Sequence, residues 1–203
     1  MQVFPGILRT PSSSSPSPRL WIQTKPCIPQ RRHLCFASSD AAVGVGLSVS
    51  DGELETRGFL VRRTATGLDV DALNEVFARV GFPRRDPTRI RRALEQAGGA
   101  VVWVEETRSK AEGRPVAFAR ATGDGVFNAV VWDVVVEPSF QGMGLGRAVM
   151  ERLVAELRGM GVSNIALYAE PRVVGFYRPL GFAADPDGIR GMVYSRKKQQ
   201  KRR

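Results

Sequence analysis

The sequence predicts an α/β (α+β) fold over residues 57–195, a mixed central sheet with element order β-α-α-β-β-β-α-β-α-β-β. Three observations predict it. Apolar, β-branched runs between residues 100 and 136 are joined by short glycine-containing connections, which is the pattern of an antiparallel meander. The run Val134-Val135-Val136 leads into a glycine turn and a helix with apolar residues at Leu145, Val149, Met150, Leu153, Val154 and Leu157. A strand that follows such a crossover helix must lie parallel to the strand before it.

In chain order, Gly58 to Arg63 forms a first strand. Asp69 or Asp71 caps a helix through Leu73, Val76, Phe77 and Val80, broken at Gly81-Phe82-Pro83. Asp86 caps a second helix with Pro87 at its first position and Ile90, Ala93 and Leu94 inward. The cluster Arg84, Arg85, Arg89, Arg91 and Arg92 is either a solvated face or an edge for an acidic partner. Ala100–Glu105 and Val116–Arg120 are the next strands, separated by the turn Glu112–Pro115, and Gly123-Asp124-Gly125 turns into the central strand Phe127–Val136. Pro138 stops that ladder, since it has no N–H to donate. Gly159 and Gly161 end the crossover helix. Ser163–Ala169 is the fifth strand, Val173 to Tyr177 a short helix, and Gly181-Phe182 with Ile189–Ser195 a last strand pair.

Residues 1–39 are rich in Ser and Pro and carry five basic side chains and no acidic one, the composition of an organelle transit peptide. The prolines disfavour an amphipathic mitochondrial helix and point to the plastid. Residues 40–56 read as a loose linker and 196–203 as a basic tail. That tail holds six more basic residues, so 19 basic face 20 acidic side chains over 40–195. The net charge of +10 therefore belongs to two tails, and nucleic-acid binding through the folded body loses its support. No run approaches the ~18 apolar residues of a membrane span. Cys27, His33 and Cys35 all lie in the first 36 residues. A body without them has no Cys/His metal site, no thiol nucleophile and no Ser-His-Asp triad. Its chemistry falls to Tyr, Asp, Glu, backbone groups or an activated co-substrate, and no metal is expected.

The turn Gln141-Gly142-Met143-Gly144-Leu145-Gly146 sits where a helix start concentrates unpaired N–H groups, a setting for phosphate or pyrophosphate. It is not a P-loop, because Arg147-Ala148 replaces Lys-Ser/Thr, nor a dinucleotide fingerprint, because the spacing is G-x-G-x-G. A glycine turn without a ligand stays open at this point. The third pattern, Gln/Arg-x-x-Gly-x-Gly/Ala after a strand ending in Val-x-Pro, resembles the acetyl-CoA pyrophosphate loop of the GNAT acyltransferase superfamily. Gly175-Phe176-Tyr177-Arg178-Pro179-Leu180-Gly181-Phe182 is similar to that family's F-Y-x-x-L-G-F segment. Trp132 to Val136 and Leu180 to Pro186 resemble its plant plastid members, associated with serotonin (arylalkylamine) and protein N-acetylation.

The resemblance implies a GNAT fold and an acetyl-CoA-dependent N-acetyltransferase acting by direct attack in a ternary complex. The implied acceptor is an arylalkylamine such as serotonin, or a protein lysine or N-terminal amine. It implies that the main chain of Val134, Val135 and Val136 binds the pantetheine arm as an added strand, one N–H polarising the thioester carbonyl. Gly142, Met143, Gly144, Leu145, Gly146 and Arg147 would wrap the pyrophosphate. Tyr177 matches the general acid that protonates the departing thiolate. A base is harder to find, since Ile165 stands where some relatives place a strand-five Glu. Asp133 is the candidate, with Glu137 beside it, and either is otherwise a strand-edge carboxylate. Glu170 replaces an Asn that many relatives place before the Tyr helix, and is the candidate for its contact with the co-substrate. Phe82, Trp103, Phe118 and Trp132 either line an indole-sized pocket or pack the core. The rival class is a CoA-binding regulatory module with little turnover. Oligomeric state is not legible.

Overall fold

The computed structural model describes residues 46–95, 100–108 and 113–184, together with residues 188, 191, 192 and 194. A five-stranded sheet runs in the order β1 (Phe59–Arg62), β2 (Val101–Glu106), β3 (Pro115–Gly123), β4 (Asn128–Val136) and β5 (Asn164–Leu167). The first four strands form the expected antiparallel meander, and β4 and β5 pair in parallel across α4 (Leu145–Gly159). Helices α2 (Val70–Arg79) and α3 (Pro87–Glu95) follow β1 in sequence, and the short α5 (Val174–Tyr177) follows β5. Among the described residues no helix is long and apolar enough to cross a membrane.

Strand alternation sorts the core into two layers. Val102 and Val104 of β2, with Ala117, Ala119 and Ala121 of β3, face α4 and its Leu145, Val149, Leu153 and Leu157. A column of alanines, all at 0% exposure, lets a helix rich in branched side chains lie close to the sheet. On the other face, Trp103 and Phe118 pack against Leu73, Phe77 and Ile90 of α2 and α3. The indole N–H of Trp103 donates to the Thr64 carbonyl at 2.8 Å, so its polar edge is satisfied in the core. Trp103 is thus a core residue, and Phe118, equally buried in the same layer, also floors a cavity beneath α2 and α3.

The segment expected to be a loose linker, 40–56, contributes a helix. Ser50 and Glu53 close a reciprocal capping box over α1 (Asp51–Thr56), and Leu54 is 1% exposed in the α4-side core. Polar contacts fasten it further. Arg152 of α4, itself 1% exposed, donates to Asp51, to the Val49 carbonyl at 2.8 Å and to the Ala148 carbonyl at 3.0 Å. Glu151 accepts from the amide and hydroxyl of Ser48 at 2.9 and 2.8 Å. The Ser-x-x-Glu signature at 50–53 is the sequence signal that argues against a loose linker here.

Of the expected last strand pair, Gly181 sits in a left-handed cap after a 3-10 turn over Arg178–Leu180, and Phe182 is irregular. Most of 189–195 lies outside the described residues, as do residues 1–39, where a transit peptide is expected, and the tail 196–203.

Truncating Leu54 to alanine removes a fully buried side chain from this docked segment and is expected to cost about 2–5 kcal/mol. A denaturant melt of Leu54→Ala checks this, and a midpoint equal to the wild type's would return residues 50–56 to the status of linker.

Candidate active site

The site begins where two strands part. β4 pairs with β5 only from Asn128 to Val131, and β4 then runs on to Val136 with no strand on that side. A bulge marks the departure. Phe118 opposes Val135 and Arg120 opposes Trp132, so Asp133 and Val134 together face the single residue Ala119. Asp133 takes φ 55, the one non-glycine among the described residues with positive φ. The extra residue exchanges the faces of the strand. Ala129 and Val131 point to the α4 core, whereas beyond the bulge it is Val134 and Val136 that do, and Val135 joins the α2/α3 core. The Glu137 amide donates to the Val116 carbonyl of β3 at 2.8 Å. By alternation, the N–H groups of Val134 and Val136 are turned away from β3, into the gap.

The glycine loop closes one end of that gap. Gln141 Nε2 donates to the Val136 carbonyl at 3.2 Å, turning the chain back on β4. Gly142 and Gly144 have φ 76 and 83, and a Cβ at either would meet nothing within 4 Å. Glycine is required there by backbone conformation, and it leaves open room above the loop. Gly146 differs, because a Cβ would lie 3.2 Å from Val136 Cγ2 and 3.5 Å from the Phe176 ring. Gly144 is the N-cap of α4 and supplies no side-chain cap, and the first intrahelical bond is from the Ala148 amide to the Gly144 carbonyl. The N–H groups of Leu145, Gly146 and Arg147 therefore precede the helical ladder, at the positive end of a 15-residue helix. The Arg147 guanidinium turns to Glu151 at 2.7 Å and keeps about half of its side chain exposed. Arg57, the C-cap of α1, donates to the Met143 carbonyl at 2.7 Å and pins the loop from below. Arg57 was not foreseen, since it lay at the edge of the supposed linker.

The gap opens into a cleft of about 830 Å³ lined by β4 from Val131 to Val136, by Gln141, by Leu167, Tyr168 and Glu170, and by Tyr177. Phe82 and Pro83 of the α2–α3 loop form the facing wall. Tyr177 is half-buried, edge-on to Phe176 (4.9 Å between centroids) and Phe182 (6.0 Å). Burial raises its phenol pKa, so it holds its proton throughout the neutral range. Trp132 stacks obliquely on Tyr168 at 5.8 Å and donates to the Thr122 hydroxyl, placing one aromatic pair on the cleft rim. Glu170 lines the same cleft and is ion-paired with Arg172 at 2.6 Å. Ile165, in the strand-five position, is half-buried against the α4 core.

Both candidate bases are engaged by arginines. Arg79 holds Glu137 through both oxygens at 2.8 and 2.9 Å. Arg85 holds Asp133 in the same forked way at 2.9 and 2.8 Å, and Arg120 adds a third bond at 2.7 Å. Burial alone would raise the pKa of Asp133, but the bonds from Arg85 and then Arg120 outweigh it and leave it lowered. A carboxylate so occupied is a poor proton acceptor, and the geometry speaks against the expected base role. Three of the five clustered arginines find acidic partners within the chain: Arg85 with Asp133, Arg84 with Glu75, and Arg91 with Asp71 at 3.6 Å. Behind the Arg85–Asp133 pair lies a second cavity of about 460 Å³, floored by Leu73, Phe77, Ile90 and Phe118.

Residues 68–182 match the model of the acetyltransferase (GNAT) family. The chain is 76% identical over 150 residues, 74% of each length, to serotonin N-acetyltransferase 2, chloroplastic, of Oryza sativa subsp. japonica. It is 63% identical to GCN5-related N-acetyltransferase 1, chloroplastic, of Arabidopsis thaliana, over 76% of this chain and 77% of that one. Among solved structures, a GNAT-family acetyltransferase of Streptococcus pneumoniae superposes with a TM-score of 0.56 at 20% identity, covering 69% of this chain and 99% of that one. At that identity the likeness speaks for the fold.

The lowered pKa of Asp133 has a measurable sign. Its contribution to stability is complete above the unfolded value of about 3.9 and is lost as pH falls through the depressed folded value. Carboxyl-carbon NMR is expected to place its midpoint below that of an unperturbed aspartate; a midpoint near neutrality would restore it as a base.

Proposed function

This chain belongs to the acetyltransferase (GNAT) family, and we propose that it transfers acetyl from acetyl-CoA to an arylalkylamine such as serotonin, with protein lysine or N-terminal amines as further acceptors. The observation that carries the reading is the coincidence of three features in one cleft: an opened strand, an uncapped helix start and a protonated tyrosine. The residues fit the co-substrate. The N–H groups of Leu145, Gly146 and Arg147, above glycines that leave open space, would hold the pyrophosphate, and Arg147 would add charge once released from Glu151. The unpaired main chain of Val134 to Val136 would hold the pantetheine arm as β5 would have done. Its N–H groups would stabilise negative charge developing on the carbonyl oxygen. Glu170 stands at the cleft wall for a further contact.

In the reaction the amine nitrogen bonds to the acetyl carbon, the carbon–sulfur bond breaks, and the proton that the nitrogen surrenders passes to water, from which the Tyr177 phenol is restored after each turnover. Tyr177 gives its proton to the leaving thiolate. With Asp133 and Glu137 held by arginines, the acceptor reaches the cleft as the free amine. The aromatic rim of Trp132, Tyr168 and Phe82 favours an indole-sized acceptor, and the similarity to a plant serotonin N-acetyltransferase supports it. Residence in the plastid is part of the proposal. Its support is the acid-free, Ser- and Pro-rich segment 1–39 and the chloroplast location in the names of both plant relatives.

Thiol release from acetyl-CoA, measured with serotonin, a lysine peptide and a peptide with a free N-terminus, tests this. Tyr177→Phe is expected to lower kcat by ~10²–10⁴-fold while leaving CoA affinity nearly unchanged. CoA binding without thiol release from any acceptor would leave only a binding module.

The pH profile is a separate check. Without an enzymic base, kcat/KM should rise tenfold per pH unit and level off at the acceptor's own pKa, about 8 for an α-amine and about 10.4 for lysine. A plateau at one pH for both acceptors would reveal a base on the protein.

A further inference from the structure

We propose that Arg85, Asp133 and Arg120 form a positioning device that fixes the left-handed turn in β4 and so aims the Val134 and Val136 amides into the gap. This rests on the N-acetyltransferase reading and adds to it a link between acceptor side and reaction centre. A side chain at φ 55 is disfavoured for nearly all residues, and aspartate is among the few that tolerate it. Tolerance alone does not hold the turn in place. The Asp133 carboxylate is gripped from two elements: by Arg120 on β3, one residue beyond the Ala119 that faces the bulge, and by Arg85 on the α2–α3 loop. Asp133 keeps 7% of its side chain exposed and Arg120 16%, so water competes little for that bond, whereas Arg85 reaches Asp133 from the more open side with 40% of its side chain exposed.

Arg85 is itself placed. Its amide donates to Asn74 Oδ1 at 3.0 Å, its carbonyl accepts from Asn74 Nδ2 at 2.7 Å, and its guanidinium lies 5.2 Å from the Phe77 ring centre. One polar chain thus runs from α2 through the loop to the bulge and on to β3. That loop also supplies Phe82 and Pro83 to the cleft wall, so an acceptor pressing on the wall presses on the support of the amides. A rival role for the same carboxylate, proton acceptor, makes different demands on its replacements.

The test is a set of variants assayed for kcat, KM and CoA affinity on the full chain. Asp133→Ala loses the grip and keeps the unfavourable φ, so kcat should fall by ~10²-fold and CoA affinity, which the same amides support, should weaken with it. Asp133→Gly accepts the turn and Asp133→Asn accepts it with some bonds retained, so both should recover to within about tenfold of wild type. Arg120→Ala should resemble Asp133→Ala, and Arg120→Lys should restore most of the loss. If Gly and Asn fall as far as Ala, or if Ala has no effect, the proposal is overturned. Amide chemical shifts of residues 134–136 give a reading that needs no turnover. They should move in Asp133→Ala and Arg120→Ala and return towards wild type in Arg120→Lys; unmoved shifts would likewise overturn it. Absence of turnover in the wild type sinks the functional reading, and the shifts then still decide whether the cluster sets the main chain.

Discussion

A parallel strand pair that holds for four residues and then lets go is the constraint on which this molecule turns. Unpaired main-chain groups inside a protein carry a desolvation cost unless water or a ligand meets them. Here the groups lie on the floor of a cleft, beside the start of a helix that is also uncapped. The sheet is complete enough to fold and incomplete where a strand-like ligand is to lie. Everything on the α4 side serves that arrangement: the alanine column under the helix, the close approach at Gly146 and the glutamine that folds the loop back on Val136.

Most of this order was legible before any coordinates. The meander, the crossover helix and the parallel fifth strand follow from periodicity and glycine placement, because burial on two faces imposes those patterns. The loop and the Tyr177 segment were legible as motifs. The charge partners were not. That Arg85 meets Asp133, 48 residues away, depends on how a loop folds over a sheet, and no local spacing records it. The bulge was equally hidden, since Trp132 to Val136 reads as an uninterrupted strand until the register shows two residues facing one. The aromatic residues divided according to depth: Trp103 and Phe118 went to the core, Phe82 and Trp132 to the cleft.

The charged groups also show why proximity to a reaction centre is a weak guide to role. Asp133 and Glu170 line the cleft and Glu137 follows the last residue of β4, and each is matched by an arginine. Such pairing sets the shape and potential of a wall, and for Asp133 it lowers the affinity for a proton. Tyr177 stands apart, because its surroundings are aromatic and burial keeps its proton in place.

The docked segment ahead of β1 bears on where the folded body starts. Ser48 binds Glu151, Val49 and Asp51 satisfy Arg152, and Arg57 steadies the glycine loop. Loss of the chain through Asp51 would leave Arg152 with only the Ala148 carbonyl, and loss through Arg57 would also free the Met143 carbonyl of the glycine loop. The folded body therefore reaches back ahead of its first strand to Ser48, through bonds that α4 and the glycine loop depend on.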